Sequence, residues 1–279
     1  MNSTNRENIT ILQWNTLCST LSTEKSFPYI KPEFLQWKHR YPLIRSILES
    51  CDADVLCLEE IDNFPEYLEK IITPLNKYKT IFSLKNDGFM GCCIAYDESK
   101  LKYISHDNFT LHQNAHNDKS NQIAIVAYFE TNNKNKLCVI CTHLKAKYVN
   151  EEIRIHQIRS LLEYIKDKQL KTNYDYIILC GDFNTEPDCL SVSAMYSEFT
   201  SVFEYKDLSS QRYQQYTTKK KRDCLYKRVI DYIWYWSSEK TEMKLVSQQT
   251  PFYEHDDEIG FPNEVFPSDH YFIKASFKI

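Results

Sequence analysis

Between Tyr176 and Cys180 the chain is apolar without interruption, and the run ends abruptly in Gly181-Asp182-Phe183-Asn184. Such a run reads as a buried strand, and strands of this kind deliver polar side chains at their C-terminal ends. Side chains alternate along a strand, so Asp182 and Asn184 are expected to point the same way, with Phe183 opposite. An acid and an amide at the mouth of a core strand suit a metal or a phosphate. An Asx-type turn would use the same four residues, and the motif alone does not separate the two. Partners elsewhere in the chain must decide.

The bulk composition narrows the class. A chain of 279 residues, 42% hydrophobic, can bury a large core, read here as one domain over 1–279 with a short tail at 1–8. Aromatic content of 14% with only 4 glycines excludes a disordered or collagen-like chain. A net charge of −4 excludes a module that coats polyanions, so any phosphate site is local. The start, MNSTNRENIT, has no apolar signal region, and most of the ten cysteines (Cys57, Cys138, Cys141 and Cys180 among them) lie inside apolar runs. They are expected to be small buried hydrophobes in a reducing compartment, the cytoplasm. Cys138 and Cys141 face opposite sides of their strand, which argues against zinc. No apolar segment approaches the roughly 18 residues that span a membrane.

Taken in order, Ile9–Leu17 is the first strand, with Ile11, Gln13 and Asn15 on one face. Pro32 opens a helix whose apolar stripe runs from Phe34 to Leu48, and Pro42 is expected to kink or split it. Asp54–Ile61 is a second buried strand closing in Glu59 and Glu60, which must face opposite ways, so one of them can join Asn15. Phe64–Asn76 is expected to be a surface helix, and strands follow at Tyr78–Leu84, Cys92–Asp97, Leu101–Leu111 and Asn121–Glu130. His106, His112 and His116 lie around a polar loop and are expected to be solvated. Lys136–Lys147 carries Leu137, Val139 and Cys141 on a face that, if the strand persists, continues through His143, Lys145 and Lys147. Several donors on one side suit a phosphate. Asn150 can cap the next helix. Thr217–Arg222 is the densest basic run, Arg228–Trp236 is a core strand with Asp231 embedded, and Pro267-Ser268-Asp269-His270 precedes an alternating last strand. A buried Asp231 needs a cationic or hydrogen-bonding partner.

Asn15, Glu60, His143, Asp182, Asn184, Asp231 and the Asp269-His270 pair thus all fall in or at the ends of strands. Carboxylates and amides are hard oxygen ligands suited to Mg²⁺, an acid can orient or deprotonate water, and an imidazole paired with a carboxylate can stabilise a charged phosphoryl group. The ordered set QWNT (13–16), LEEID (58–62), THLKAK (142–147), GDFN (181–184), IDYIW (230–234) and PSDH (267–270) resembles the endonuclease/exonuclease/phosphatase superfamily, over nearly the whole chain. Within it the chain is most similar to the nocturnin and deadenylase branch, through THLKA, the Thr-Thr run ending in Arg222, and PSDH.

The resemblance implies an α/β (α+β) four-layer sandwich of two packed mixed β-sheets flanked by helices, with the site across strand ends at one edge. It implies Mg²⁺, with Mn²⁺ as a substitute, held by Glu60 with Asn15 close by and Asp269 assisting a second metal. Asp182 would activate the attacking water, Asn184 hold the phosphate, and His270, braced by Asp231, neutralise transition-state charge. His143 and Lys145 would grip the phosphate, and Lys147, Arg222 and Lys85 would reach the substrate. That substrate is NADP(H), losing its 2′-phosphate, or alternatively an RNA 3′ end shortened by a 3′→5′ exoribonuclease. A lipid phosphodiesterase or an inactive binding scaffold ranks below both. No membrane and no obligate protein partner is expected, and the protein is expected to be a monomer. The chain departs from the branch at Lys147, where Arg is usual, and at Lys219, where Trp is usual; the first keeps the charge and loses the bidentate fork.

Overall fold

The computed structural model describes residues 7–203, 216–221, 224–249 and 260–279. Its strands are β1 (Asn8–Asn15), β2 (Val55–Ile61), β3 (Tyr78–Leu84), β4 (Gly91–Asp97), β5 (Leu101–His112), β6 (Lys119–Thr131), β7 (Lys136–His143), β8 (Tyr176–Asp182), β9 (Thr200–Ser201), β10 (Thr218–Lys221), β11 (Leu225–Arg228), β12 (Asp231–Ser237), β13 (Lys244–Gln249) and β14 (Ile273–Lys278). Two six-stranded sheets result, ordered β13-β14-β1-β2-β4-β3 and β5-β6-β7-β8-β12-β9, beside the β10-β11 hairpin. The helices are α1 (Pro32–Leu35), α2 (Trp37–Cys51), α3 (Phe64–Tyr67), α4 (Glu151–Thr172) and α5 (Leu190–Tyr196).

Alternation builds the layers. Ile9 and Ile11 of β1, with Val55 and Cys57 of β2, pack into the same buried cluster as Val139 and Cys141 of β7 and Ile178 and Cys180 of β8. The intervening residues Leu12, Trp14, Leu56 and Leu58 face the other way, onto Ile44 and Leu48 of α2. On the far side Ile158 and Leu161 of α4 cover the second sheet. Helix, sheet, sheet, helix is the expected sandwich. All ten cysteines are free thiols, eight of them buried, as their apolar settings require. No described helix is long and apolar enough to cross a membrane.

Topology places the site. Each sheet contains one parallel pair, β1 with β2 and β7 with β8, so four strands bring their C-terminal ends to one edge. Their antiparallel neighbours β14 and β12 begin where β1 and β8 end; Asp231 opens β12 directly opposite Asp182. The residues that precede β14 therefore arrive at the same edge.

Three local expectations are corrected. Pro42 lies inside α2, which runs unbroken, and the break falls instead at Gln36, whose backbone is extended (ψ 137°). One lost hydrogen bond at Pro42 is outweighed by the packing of Ile44 and Leu48. Residues 64–75 are helical at the surface as expected, but not as one regular helix: α3 passes into a π-turn at Leu68–Ile72 and a 3₁₀ turn at Thr73–Leu75, with Tyr67, Ile71 and Ile72 buried against the first sheet. Asn150 stands at the start of α4, but its amide donates to the Ala146 carbonyl (2.6 Å) and caps nothing.

Gly181 is required by close approach. A Cβ built there would lie 2.0 Å from the Thr142 carbonyl oxygen on β7. Gly181→Ala is therefore expected to destabilise the fold by about 3 kcal/mol or more, since only backbone movement can relieve the clash. Urea denaturation measures this, and a loss under about 1 kcal/mol would contradict the sheet geometry.

Candidate active site

On β1 the inward face that starts with Ile9 and Ile11 ends in Gln13 and Asn15, both fully buried. Strict alternation on β2 would send Glu59 inward and Glu60 toward the helices. It does send Glu59 inward, but Glu60 has φ 62° and is the extra residue of a β-bulge, skipped between the Glu59–Cys92 and Ile61–Gly91 pairs. The bulge turns Glu60 back to the edge, where its Oε1 accepts a hydrogen bond from Asn15 Nδ2 at 3.1 Å. Both glutamates thus lie on the side of Asn15, an outcome that period-two reasoning excludes.

Asn15 Nδ2 also donates to Asp182 Oδ2 (3.0 Å), while its Oδ1 accepts from the Leu17 N–H (3.0 Å). Its amide nitrogen faces the carboxylates and its oxygen is engaged elsewhere. Asn15 therefore holds Glu60 and Asp182 together through its amide nitrogen. Asp182 Oδ1 accepts the Asn184 N–H (2.8 Å), so the GDFN segment is an Asx turn and a site at once. Asn184 sits at φ 53°, with its amide donating to the Leu144 carbonyl. That bond fastens the end of β8 to the loop after β7.

His143 ends β7, so the proposed continuation of that strand face through Lys145 and Lys147 does not occur. These lysines stand on a loop, Lys145 half-buried and Lys147 exposed. Lys85, buried, donates through Nζ to His143 Nδ1 (3.2 Å), and His143 Nε2 lies 3.5 Å from Asp182 Oδ2. Burial, the Lys85 charge and His270 hold the His143 pKa well below its usual value, so this ring is neutral with its proton on Nε2. Arg222 lies outside the described residues.

His270 donates from Nδ1 to Asp231 Oδ2 (2.9 Å), with its Nε2 3.9 Å from Asp182 Oδ2. Burial lowers its pKa, but Asp231, Asp182 and the Nδ1 hydrogen bond outweigh that and raise it to about 10, so the ring is an imidazolium. Asp182 moves the other way, pushed up to about 7 by burial and by Asp231. Asp269 is held below the usual carboxylate range despite burial, by Lys220 (Nζ to Oδ2 3.2 Å) and by His270. With that ion pair it belongs to neither group of converging ligand atoms among the described residues, and the second-metal role implied for it finds no support there.

Sequence reading missed the supports. Gln13 Nε2 donates to Glu59 Oε2 (3.0 Å) and to Asp231 Oδ1 (3.1 Å), so it holds the aspartate that holds His270. Its signal was its place two residues before Asn15 on the same face. Burial, with Cys92, Asp231 and Cys57 nearby, pushes the Glu59 pKa well above the usual range. Thr217 Oγ1 accepts the N–H groups of Ile230 and Asp231. Arg40, fully buried, donates to the carbonyls of Thr16, Leu17 and Pro267, joining the loop after β1 to the one before Asp269.

Residues 12–270 match the endonuclease/exonuclease/phosphatase family. The chain belongs to that family. It is nocturnin-like within it, 30% identical to Nocturnin of Drosophila melanogaster over 98% of this chain and 47% of that one. It is 26% identical to the CCR4-Not complex 3′-5′-exoribonuclease subunit Ccr4 of Candida albicans, over 98% of this chain and 41% of the other. The chain thus spans less than half the length of these two relatives. The solved structure of the human Nocturnin catalytic domain with bound sulfate anion superposes with a TM-score of 0.73 at 25% identity, covering 98% of this chain and 97% of that one.

Among the described residues, two groups of ligand atoms converge, each to within 4.8 Å: Glu60, His143 and Asp182, and Asp182, Asp231 and His270. The second contains its own cation, the imidazolium, and is a poor metal site. In the first, His143 already accepts from Lys85 and turns its remaining N–H toward Asp182, which leaves two carboxylates. A hard divalent cation that keeps most of its waters fits such a pair.

Proposed function

We propose that this chain is a Mg²⁺-dependent phosphohydrolase that removes the 2′-phosphate of NADP(H). The observation that carries the reading is the buried Lys85 ammonium, 3.2 Å from His143 Nδ1 and linked through that ring to Asp182. A terminal phosphate monoester is a dianion, a diester a monoanion, and the monoester gains more from a fixed cation in a dry site. Lys145 and Lys147 on the adjacent loop add charge on the same side, and the similarity to Nocturnin supports the same choice.

Glu60 and Asp182 would hold the cation, which when bound supplies Lewis-acid polarisation of the phosphoryl oxygens. The remaining roles belong to the chain itself. Asp182, ionised and fixed by Asn15 and the Asn184 N–H, orients water and accepts its proton. Neutral His143 donates from Nε2, and Lys85 and Lys145 hold the phosphate oxygens. His270, fixed as an imidazolium by Asp231, meets negative charge that develops on the transferring group. The attack is in-line, with no covalent intermediate.

Similarity to Ccr4 favours a second reading, a 3′→5′ exoribonuclease. The net charge of −4 disfavours a surface that must follow several backbone phosphates. NADP⁺ and labelled oligo(A) assayed side by side with Mg²⁺ decide between them. Phosphate and NAD⁺ are expected from NADP⁺, and none from Glu60→Ala. Progressive shortening of oligo(A) with NADP⁺ untouched would reverse the ranking.

A further inference from the structure

We propose that Arg154, buried on α4, is the positioning residue that sets Lys145 and Lys147 against the phosphate and so fixes how tightly the substrate is held. Between the Leu144 N–H, which still pairs with the Asp182 carbonyl, and the 3₁₀ turn Tyr148–Asn150, whose Asn150 N–H reaches the Lys147 carbonyl, the loop is held mainly by side chains, and every carbonyl from Leu144 to Tyr148 has a side-chain donor. Asn184 Nδ2 takes that of Leu144 and Asn150 Nδ2 that of Ala146. The other three go to Arg154: Nη1 donates to the Lys145 carbonyl (2.8 Å) and the Lys147 carbonyl (2.7 Å), and Nη2 to that of Tyr148 (3.3 Å). The Lys145 N–H is taken in turn by Gln157 Oε1, one turn further along α4. With the backbone drawn inward at each step, Lys145 and Lys147 are left to project from the loop.

The conformation is not one the loop would hold by itself. Lys147 stands at φ 76°, ψ 136°, a region that an L-residue occupies only when its surroundings impose it. Its carbonyl makes the shortest of the three Arg154 contacts. The Arg154 side chain is 1% exposed, and its guanidinium is oriented by Glu151 Oε2, which accepts from both Nε (3.1 Å) and Nη2 (3.0 Å). Glu151 also reaches the segment that follows Asn184, accepting from Thr185 Oγ1 (3.0 Å) and the Ser191 N–H (2.9 Å). One ion pair, buried at Arg154 and half-buried at Glu151, therefore ties together the two loops that carry the phosphate grip, Lys145/Lys147 on one and Asn184 on the other. Lysine cannot replace it, because a single ammonium cannot span three carbonyls and a carboxylate in one plane.

The inference rests on the phosphohydrolase reading, and its test separates the two. Arg154→Lys is expected to raise KM for NADP⁺ about tenfold with kcat within about threefold, because the lysines bind and do not react. In a Lys145→Ala/Lys147→Ala background the same substitution should change KM no further, an outcome that a merely structural role would not give. Glu151→Gln, which leaves the half-buried partner in place without its charge, should produce a smaller rise in KM and serves if Arg154→Lys does not fold. Calorimetric titration with inorganic phosphate needs no turnover: the Kd of Arg154→Lys should rise by about the same tenfold factor. If the wild-type protein leaves NADP⁺ intact, the functional reading fails while the phosphate titration still judges Arg154. An unchanged phosphate Kd in Arg154→Lys, or an equal further loss in the double-alanine background, overturns the proposal.

Discussion

Asp182→Asn is expected to lower kcat about a thousandfold or more, while thermal stability stays level or rises. The carboxylate is buried, its Nδ2 partner Asn15 and its Asn184 N–H partner bind different oxygens, and Asp231 stands opposite it in the sheet. Burial and that neighbouring charge have already raised its pKa to about 7, so the ionised form is costly to keep in the fold. Asparagine removes the cost, loses one of two hydrogen bonds at the oxygen that becomes nitrogen, and cannot accept a proton. Stability and activity should therefore part company at this residue. Steady-state kinetics with a melting curve on the same preparation check both halves. Retention of a tenth of the wild-type kcat, or a fall in melting temperature comparable to that of a core truncation, would remove Asp182 from the role given to it.

Asp231→Asn should shift the whole pH–rate profile toward acid. In the wild-type protein the working form of His270 is the imidazolium, present below a pKa of about 10 and lost as pH rises through it. Without Asp231 the burial of the ring is opposed only by more distant acids, and the alkaline limb should fall by several pH units toward neutrality. The acid limb moves in the same direction, since Asp231 is also a cause of the raised Asp182 pKa and a bound cation lowers it further. At pH 8 the variant should be about a hundredfold slower, with the deficit narrowing toward pH 6. Stability follows the same sign: the contribution of charged His270 is fully present below its usual 6.5 and disappears as pH rises through about 10. The wild-type protein should therefore lose more stability than Asp231→Asn between pH 6 and pH 10. A profile of unchanged position would mean that Asp231 does not set the charge of His270.

How much of this was legible follows from which forces act locally. The strand ends were legible because apolar runs and their polar terminators are written consecutively, as in Tyr176–Asn184 and Asp54–Ile61. The ordered motifs chose Glu60 over Glu59, but the reason they are right is a single backbone angle at Glu60, which no alternation rule contains. Asp231 announced its need for a partner, and His270 with Gln13 met it. Arg154 and Gln157 were unreadable because a polar residue on a helix looks solvated until the loop it holds is in place. Pro42 misled because packing over the two helical turns that follow outweighs one missing donor. Lys85 came from resemblance alone; its loop gives no sign that the ammonium turns inward to His143.

The pairing of β1 with β14 has a consequence for the order in which the protein becomes competent. β1 is made well before β14 and sits inside its sheet, yet one of its two partners is Ile273–Lys278 and His270 lies just before it. Asn15 and Gln13 therefore leave the ribosome some 250 residues ahead of His270, with half their hydrogen-bonding edge exposed until β14 is made. The segment that pairs with β1 as β14 also brings His270 to Asp231, so partly made chains carry Glu60 and Asp182 without the imidazolium.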